Sequence, residues 1–298
     1  MRNTFIETLT VAAGTDERLF LICGDLGYSV LEPFAQRFPD RFLNAGIAEQ
    51  NMVGMAAGLS REGYNVFVYS IGNFPTLRAM EQIRYDVCYH GASVKIVAVG
   101  GGYAYGPLGV SHHTTEDLAM LRVLPGMTVA APADPVEARA VALWMAQSAG
   151  PGYVRINKSG ESPIHMSPIV FSQPRGLVLR EGRGTVVLST GAILESVMKL
   201  EKVKSGDWGV VSMPFVKPLD TDLLASLAGH YTRMVTVEEH QRAGGFGSAV
   251  LEALHDLRDS GAIPDIPQVI RKGIPDIFLG YAGSQEYLRS QAIPLEDL

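Results

Sequence analysis

The sequence predicts an α/β fold of two consecutive parallel-sheet domains. Three observations carry that expectation. Short apolar runs alternate with amphipathic segments, the pattern of strands covered by helices. Thirty-two glycines and seventeen prolines among 298 residues mark frequent tight turns. The alternation lapses once, over 159–180, where Pro163, Pro168 and Pro174 break any period. Domains are therefore expected at 1–160 and 183–298, joined by a linker at 161–182.

In chain order, Thr4 and Glu7 have the spacing of a capping box, so a first helix is expected to end near Gly14. Leu19–Cys23 reads as a buried strand, with a loop through Asp25 and Ser29 behind it. Phe42–Asn44 is a short strand feeding a helix that starts at Glu49 and stops at Gly63. Val66–Ser70 is a strand, Thr76–His90 a helix and Val94–Val99 a strand that runs into the glycine-rich segment 100–109. Met127–Ala131 is a strand, and Asp134-Pro135 supplies an N-cap with proline at the first helical position. That helix is expected to reach about Ser148, and Tyr153–Ile156 to close the sheet. The second unit reads as strands at Thr185–Ser189, Gly209–Met213, Met234–Glu238 and Val269–Lys272 with helices between.

Composition removes several function classes. At 47% hydrophobic residues the chain buries one large core or two ordinary ones. A formal charge of −6 with no basic run argues against a nucleic-acid footprint. Two cysteines without ligand spacing, Cys23 and Cys88, imply no disulfide framework. Glu7 interrupts the start and no apolar h-region follows, so no signal peptide is expected, and no run reaches membrane-spanning length. A soluble cytoplasmic protein is the expectation.

The segment Asn44 to Gly58 carries the most chemistry. It sets one carboxylate, Glu49, at the head of an otherwise apolar or small-residue helix. Such a group either complements the helix dipole or is held poorly solvated as an acid–base group with a raised pKa. Gly54 and Gly58, four apart, each cost roughly 1 kcal/mol relative to alanine. They are either tolerated or let another backbone approach. Gly100 to His113 follows a strand, at the edge where α/β ligand sites form. It lacks the Lys-Ser/Thr of a phosphate loop. Its adjacent histidines have no partner at ligand spacing, so a hydrogen-bonding and proton-carrying histidine is expected there rather than a metal. Glu238 to Gly247 is a polar strand end turning into a helix, where interface or turn chemistry is favoured over catalysis.

Taken together, these segments resemble the C-terminal half of transketolases, and more closely the smaller subunit of the two-chain (split) form. The resemblance runs through Asp25-Leu26, Gly46-Ile47-Ala48-Glu49-Gln50-Asn51, Arg78-Ala79-Met80-Glu81-Gln82-Ile83-Arg84, Gly106-Pro107-Leu108-Gly109 with His112-His113, Ala133-Asp134 and Gly244-Gly245-Phe246-Gly247. It implies a thiamine-diphosphate pyrimidine-binding domain followed by the family's C-terminal domain. Glu49 aligns with the glutamate that hydrogen-bonds N1′ of the aminopyrimidine and so favours the imino tautomer that generates the reactive ylide. Phe74 matches the aromatic that stacks on the pyrimidine, while Leu77 and Met80 stand where some relatives carry further aromatics. Asp25 and Leu26 align with residues lining the cofactor cleft. His112 aligns with the histidine that faces the donor sugar's oxygens.

The resemblance also marks an absence. The family's diphosphate site needs Gly-Asp-Gly and, some thirty residues on, Asn, to hold Mg²⁺. Gly24-Asp25-Leu26 is not that motif. Diphosphate and metal are thus expected from a second, N-terminal-type subunit, in an α₂β₂ assembly. At the substrate end Arg2 and Ser29 match sugar-phosphate-gripping positions. Lys158 replaces an arginine, Gly100 a phosphate-contacting histidine and Leu108 a hydroxyl-contacting aspartate. Ordinary sugar phosphates and an altered acceptor (an unphosphorylated, sulfonated or branched sugar) both remain open. The implied reaction is transfer of a two-carbon ketol unit from a ketose to an aldehyde. The alternatives are a decarboxylating enzyme, such as a 2-oxo acid dehydrogenase β subunit or deoxyxylulose-phosphate synthase, and a non-catalytic scaffold.

Overall fold

In a computed structural model, described for residues 1–158 and 160–296, the chain forms two sheets. Ser159, Asp297 and Leu298, which the sequence places at the domain ends, lie outside the described residues. The first sheet has seven strands: β1 Leu19–Cys23, β2 Phe42–Asn44, β3 Asn65–Ile71, β4 Val94–Val99, β5 Thr128–Ala130, β6 Gly152–Ile156 and β10 Phe215–Lys217. Their order is β10-β5-β6-β4-β3-β1-β2. The second sheet holds β7 Leu177–Arg180, β8 Thr185–Ser189, β9 Gly209–Ser212, β11 Arg233–Gln241 and β12 Gln268–Ile274, in the order β12-β11-β8-β9-β7. Most pairings are parallel, and β3, β4, β6 and β8 are buried along nearly their whole length, as strands covered on both faces must be.

Strand order reverses around β1. The chain runs from β1 outward to β2, then returns across β1 to β3. That crevice, at the carboxyl ends of β1 and β3, is where open α/β sheets place ligands.

Four expectations need correction. Tyr153–Ile156 does not close the sheet: β6 lies between β5 and β4, and the far edge is the antiparallel β10. Local periodicity carries no signal for a strand borrowed from later in the chain. The capping box at Thr4 does not form. The first helix begins a turn earlier, at Arg2, because Met1 is buried with its ammonium 2.7 Å from Glu161. The single helix over 76–90 is three pieces, Asn73–Leu77, Met80–Gln82 and a π-helical stretch Ile83–Tyr89, and the break falls at Arg78 and Ala79. The stretch read as linker is strapped down rather than loose. Asp134 accepts the amides of Ile164 and His165 and the His165 ring, Phe171 is buried against Phe215, and Leu177–Arg180 pairs with β9. Asp134 also caps its helix through the Glu137 amide, as the sequence indicates. No helix among the described residues is long and apolar enough to cross a membrane.

Lys95, on β4 at the opposite end from the crevice, is almost fully buried and donates to the Gly150 carbonyl. Burial alone pushes its ammonium down to about 7. A base with a lowered folded-state pKa binds fewer protons folded than unfolded, so stability rises with pH between about 7 and the ordinary lysine value. The urea-unfolding free energy of the protein, measured relative to Lys95→Met, should rise across that window by up to about 1.4 kcal/mol per pH unit. A pH-independent difference would contradict this.

Candidate functional site

Every residue singled out for the site, with the exception of Met80 and Arg2, sits on a segment leaving the carboxyl end of a first-sheet strand. Asp25, Leu26 and Ser29 follow β1, Glu49 follows β2, Phe74 and Leu77 follow β3, Gly100, Leu108 and His112 follow β4, and Lys158 follows β6. Asn44 organises the start of this rim. Its side-chain oxygen accepts the amides of Asp25 and Gly46, each at 3.0 Å, and its amide donates to the Asp25 carboxylate at 3.0 Å. Gly46 has φ +71°, a turn that favours glycine and delivers the chain into the next helix.

Glu49 opens the helix Glu49–Arg61, yet it is only 4% exposed. Its two oxygens each lie 3.3 Å from one guanidinium nitrogen of Arg78. The same guanidinium sits 4.4 Å from the centre of the Phe74 ring. Phe74 in turn meets the His112 ring edge-on at 5.3 Å, and His112 lies 6.3 Å from the ring of Tyr105. A continuous line therefore joins acid, cation, aromatic and histidine. A cavity of about 550 Å³ opens beside Glu49, lined by Ile47, Ala48, Gln50, Asn51 and Arg78. Burial, and then the charge of Arg78, hold the His112 imidazole below its ordinary pKa, so it is neutral near pH 7. The Ser111 hydroxyl lies 3.0 Å from its Nδ1.

At the substrate end, the positive φ of Gly100 (+91°) and the Tyr105 ring act together. A Cβ at residue 100 would stand 2.2 Å from that ring, so Tyr105 fills the space a side chain there would take. Lys158 approaches the Tyr105 ring at 5.1 Å; burial raises the Tyr105 hydroxyl's pKa, and the charge of Arg2 works against that rise. Arg2, Gly100, Lys158 and His112 are thus gathered around Tyr105.

Other residues stay apart. Asp25 and Ser29 are exposed, both at positive φ, on the β1 loop, where Ser29 bonds Glu32 and Asp25 bonds Asn44 and Tyr28. Leu26 packs on the core below. Leu77 is half exposed beside Arg78, Leu108 is exposed, and Met80 packs against the core. Gly54 and Gly58 have nothing within 4 Å of an added Cβ, so no described segment of this chain packs on them. Sequence reasoning assigned no role to Arg78, Tyr105 or Asn44. All three stand in segments named above, Asn44 within 44–58, Tyr105 within 100–113 and Arg78 at the head of Arg78–Arg84, but neither spacing nor periodicity shows an arginine folding back on a carboxylate 29 residues away.

Residues 1–160 match the transketolase pyrimidine-binding domain, and residues 175–284 match the transketolase C-terminal domain. The chain belongs to the transketolase family. It is 31% identical over 299 residues to one of the subunits of the apulose-4-phosphate transketolase of Phocaeicola vulgatus, covering 98% of this chain and 96% of that one. It is 35% identical to 1-deoxy-D-xylulose-5-phosphate synthase 1 of Geobacter metallireducens, over 97% of this chain but only 46% of that protein. Among solved structures, a split-gene transketolase described as an inactive β4 tetramer superposes with a TM-score of 0.84 at 35% identity, covering 98% and 92% of the two chains. Domain order, full-length match and fold make this transketolase-family chain one subunit of a split transketolase, a transferase.

Removing the cation from Glu49 should be felt in the isolated transketolase subunit. Arg78 is 52% exposed, which discounts the pair, so Arg78→Met should cost about 1–2 kcal/mol at pH 7. Adding Glu49→Gln should recover most of that loss in urea unfolding. Additive losses in the double variant would show that the two side chains do not interact.

Proposed function

We propose that this chain supplies the pyrimidine-side half of a thiamine-diphosphate-dependent transketolase, moving a two-carbon ketol unit from a ketose to an aldehyde. One observation carries the reading: a nearly buried carboxylate, Glu49, beside a cavity, with an aromatic ring linked to it through one guanidinium. Those features suit an aminopyrimidine, which needs a shielded hydrogen-bond acceptor and a flat apolar wall. When bound, the cofactor supplies the carbanion-stabilising chemistry that side chains lack.

The chain's own residues then have distinct tasks. Glu49, itself almost fully buried, would hold a proton at the pyrimidine N1′. Phe74 offers the ring face, and Leu77, Met80, Asp25 and Leu26 shape the surrounding cleft. Arg78 now occupies both the Glu49 carboxylate and the Phe74 ring face, so it would move aside for those two residues to hold a pyrimidine. His112, neutral at working pH, faces the sugar oxygens as donor and proton carrier. Arg2 and Lys158, grouped around Tyr105, favour a substrate with an anionic or strongly polar tail, with Ser29 and Leu108 on the adjoining loops. A small sugar or sugar phosphate fits that charge. The name of the Phocaeicola relative, with its branched-sugar phosphate, supports the same class.

The partner is an N-terminal-type subunit carrying the diphosphate and Mg²⁺ site, in an α₂β₂ assembly of the cytoplasm. Support comes from the missing Gly-Asp-Gly motif, from exposed Ile47, Tyr85 and Tyr89 around the Glu49 helix, and from Gly54 and Gly58 standing open on that helix. The inactivity stated for the β4 relative agrees with a chain that is silent alone. A decarboxylating activity is the second reading, favoured by the 35% identity to the deoxyxylulose-phosphate synthase.

Mixed with its partner, thiamine diphosphate and Mg²⁺, the chain should transfer a ketol unit from a ketose to an aldehyde. Glu49→Ala should lower kcat by about 100-fold or more, the scale of a lost acid–base group. Pyruvate consumption without ketose cleavage would move the assignment to the decarboxylating branch, and full activity in Glu49→Ala would remove the role given to that residue.

A further inference from the structure

Glu239 lies on β11, in the second domain, and is 3% exposed. Both of its carboxylate oxygens are hydrogen-bonded. One oxygen accepts the Tyr103 amide at 2.8 Å and the Gln285 amide at 3.2 Å. The other accepts Arg289 at 2.6 Å and Gln285 at 3.0 Å. Its backbone carbonyl accepts the Arg155 guanidinium at 2.5 Å, and Arg155 also pairs with buried Asp117 at 3.0 Å. Tyr103 belongs to the first domain, on the segment that carries His112.

We propose that Glu239 is a positioning residue through which the second domain fixes the loop Gly100–His113, and with it His112, over the reacting sugar. The proposal rests on the transketolase reading above.

The loop's geometry shows how the contact travels. Gly102 and Thr114 exchange two backbone hydrogen bonds of 2.8 Å, so the loop is pinched shut beside Tyr103. The Tyr103 ring stands edge-on to the buried His113 ring at 5.0 Å. The His113 carbonyl accepts the Asn73 side chain at 2.5 Å, adjacent to Phe74. Further along, the Gly106 carbonyl accepts the Gly283 amide at 3.3 Å, a second tie from the C-terminal domain. Gly102 has φ +61°, and a Cβ there would stand 2.3 Å from the Glu239 carboxyl carbon, so glycine is required for so close an approach.

Charge explains why this clamp is stiff. A carboxylate desolvated between two domains is tolerated only while Arg289, Gln285 and the Tyr103 amide all stay in place. Partial opening leaves a buried charge uncompensated, so the loop has one favoured position rather than several. The domains have other cement, since β10 completes the first sheet and Val186, Leu188, Val211 and Met213 share a core cluster with Met127 and Val129. The costly polar clamp is therefore spent where a loop must be placed.

The test has an arm that needs no activity. In the isolated chain, hydrogen exchange in peptides spanning 100–114 should quicken about tenfold in Glu239→Ala, while β1 and β4 peptides are unchanged. Arg289→Met should move the same peptides in the same direction by less, and serves if Glu239→Ala folds poorly. In the reconstituted pair, kcat should fall about 10- to 100-fold with thiamine-diphosphate affinity unchanged, the cost of misplacing a reacting group by about an ångström. Glu239→Gln, which keeps an acceptor for Tyr103, should restore part of kcat. Exchange that rises equally in all strands, or kcat unchanged despite a freed loop, would overturn the proposal. If the wild-type pair transfers no ketol unit, the functional reading fails, while a loop-confined rise in exchange still upholds the clamp.

Discussion

Taking a carboxylate out of water is costly, and the arrangement around Glu49 shows how that cost is offset. The positive end of the Glu49–Arg61 helix lies at its backbone, and Arg78 reaches both oxygens. Each compensation requires a particular local structure. The Gly46 turn starts the helix at the right residue, Asn44 ties that turn to the β1 loop, and the helix after β3 breaks at Arg78 so that its side chain folds back. A continuous helix from 76 to 90 would leave the spacing pattern intact and the carboxylate without this arginine. The break and the π-helical stretch that follows it lie beside the Arg78–Glu49 contact, and such irregularities often gather at functional sites.

The dipole and acid–base readings of Glu49 are compatible. A residue at a helix head gains from the dipole whether or not it has chemistry to do. Its burial beside a cavity is what supports the acid–base role proposed above.

Much of the fold was legible because strands buried on both faces carry continuous apolar runs: Leu19–Cys23 and Val94–Val99 have the bounds the sequence indicates. What escaped was non-local. The edge strand Phe215–Lys217 is recruited from beyond the first unit, and the prolines of the supposed linker conceal a strap anchored by Asp134 and Phe171. The site divides along the same line. Glu49 and His112 stand in recognisable motifs and Phe74 matches a known position, whereas what Arg78, Tyr105 and Glu239 do depends on contacts between distant segments. Tyr105 is legible only once the missing side chain of Gly100 is seen to be space that another residue fills.

The most direct measurement compares thiamine diphosphate with an analogue carrying C–H in place of the pyrimidine N1′, by calorimetry on the reconstituted pair. A shielded Glu49 bonded to N1′ predicts that the natural cofactor binds at least about tenfold more tightly, the worth of one hydrogen bond to a charged group, and that Glu49→Ala erases the preference. Equal affinity for both compounds in the unaltered protein would contradict the account.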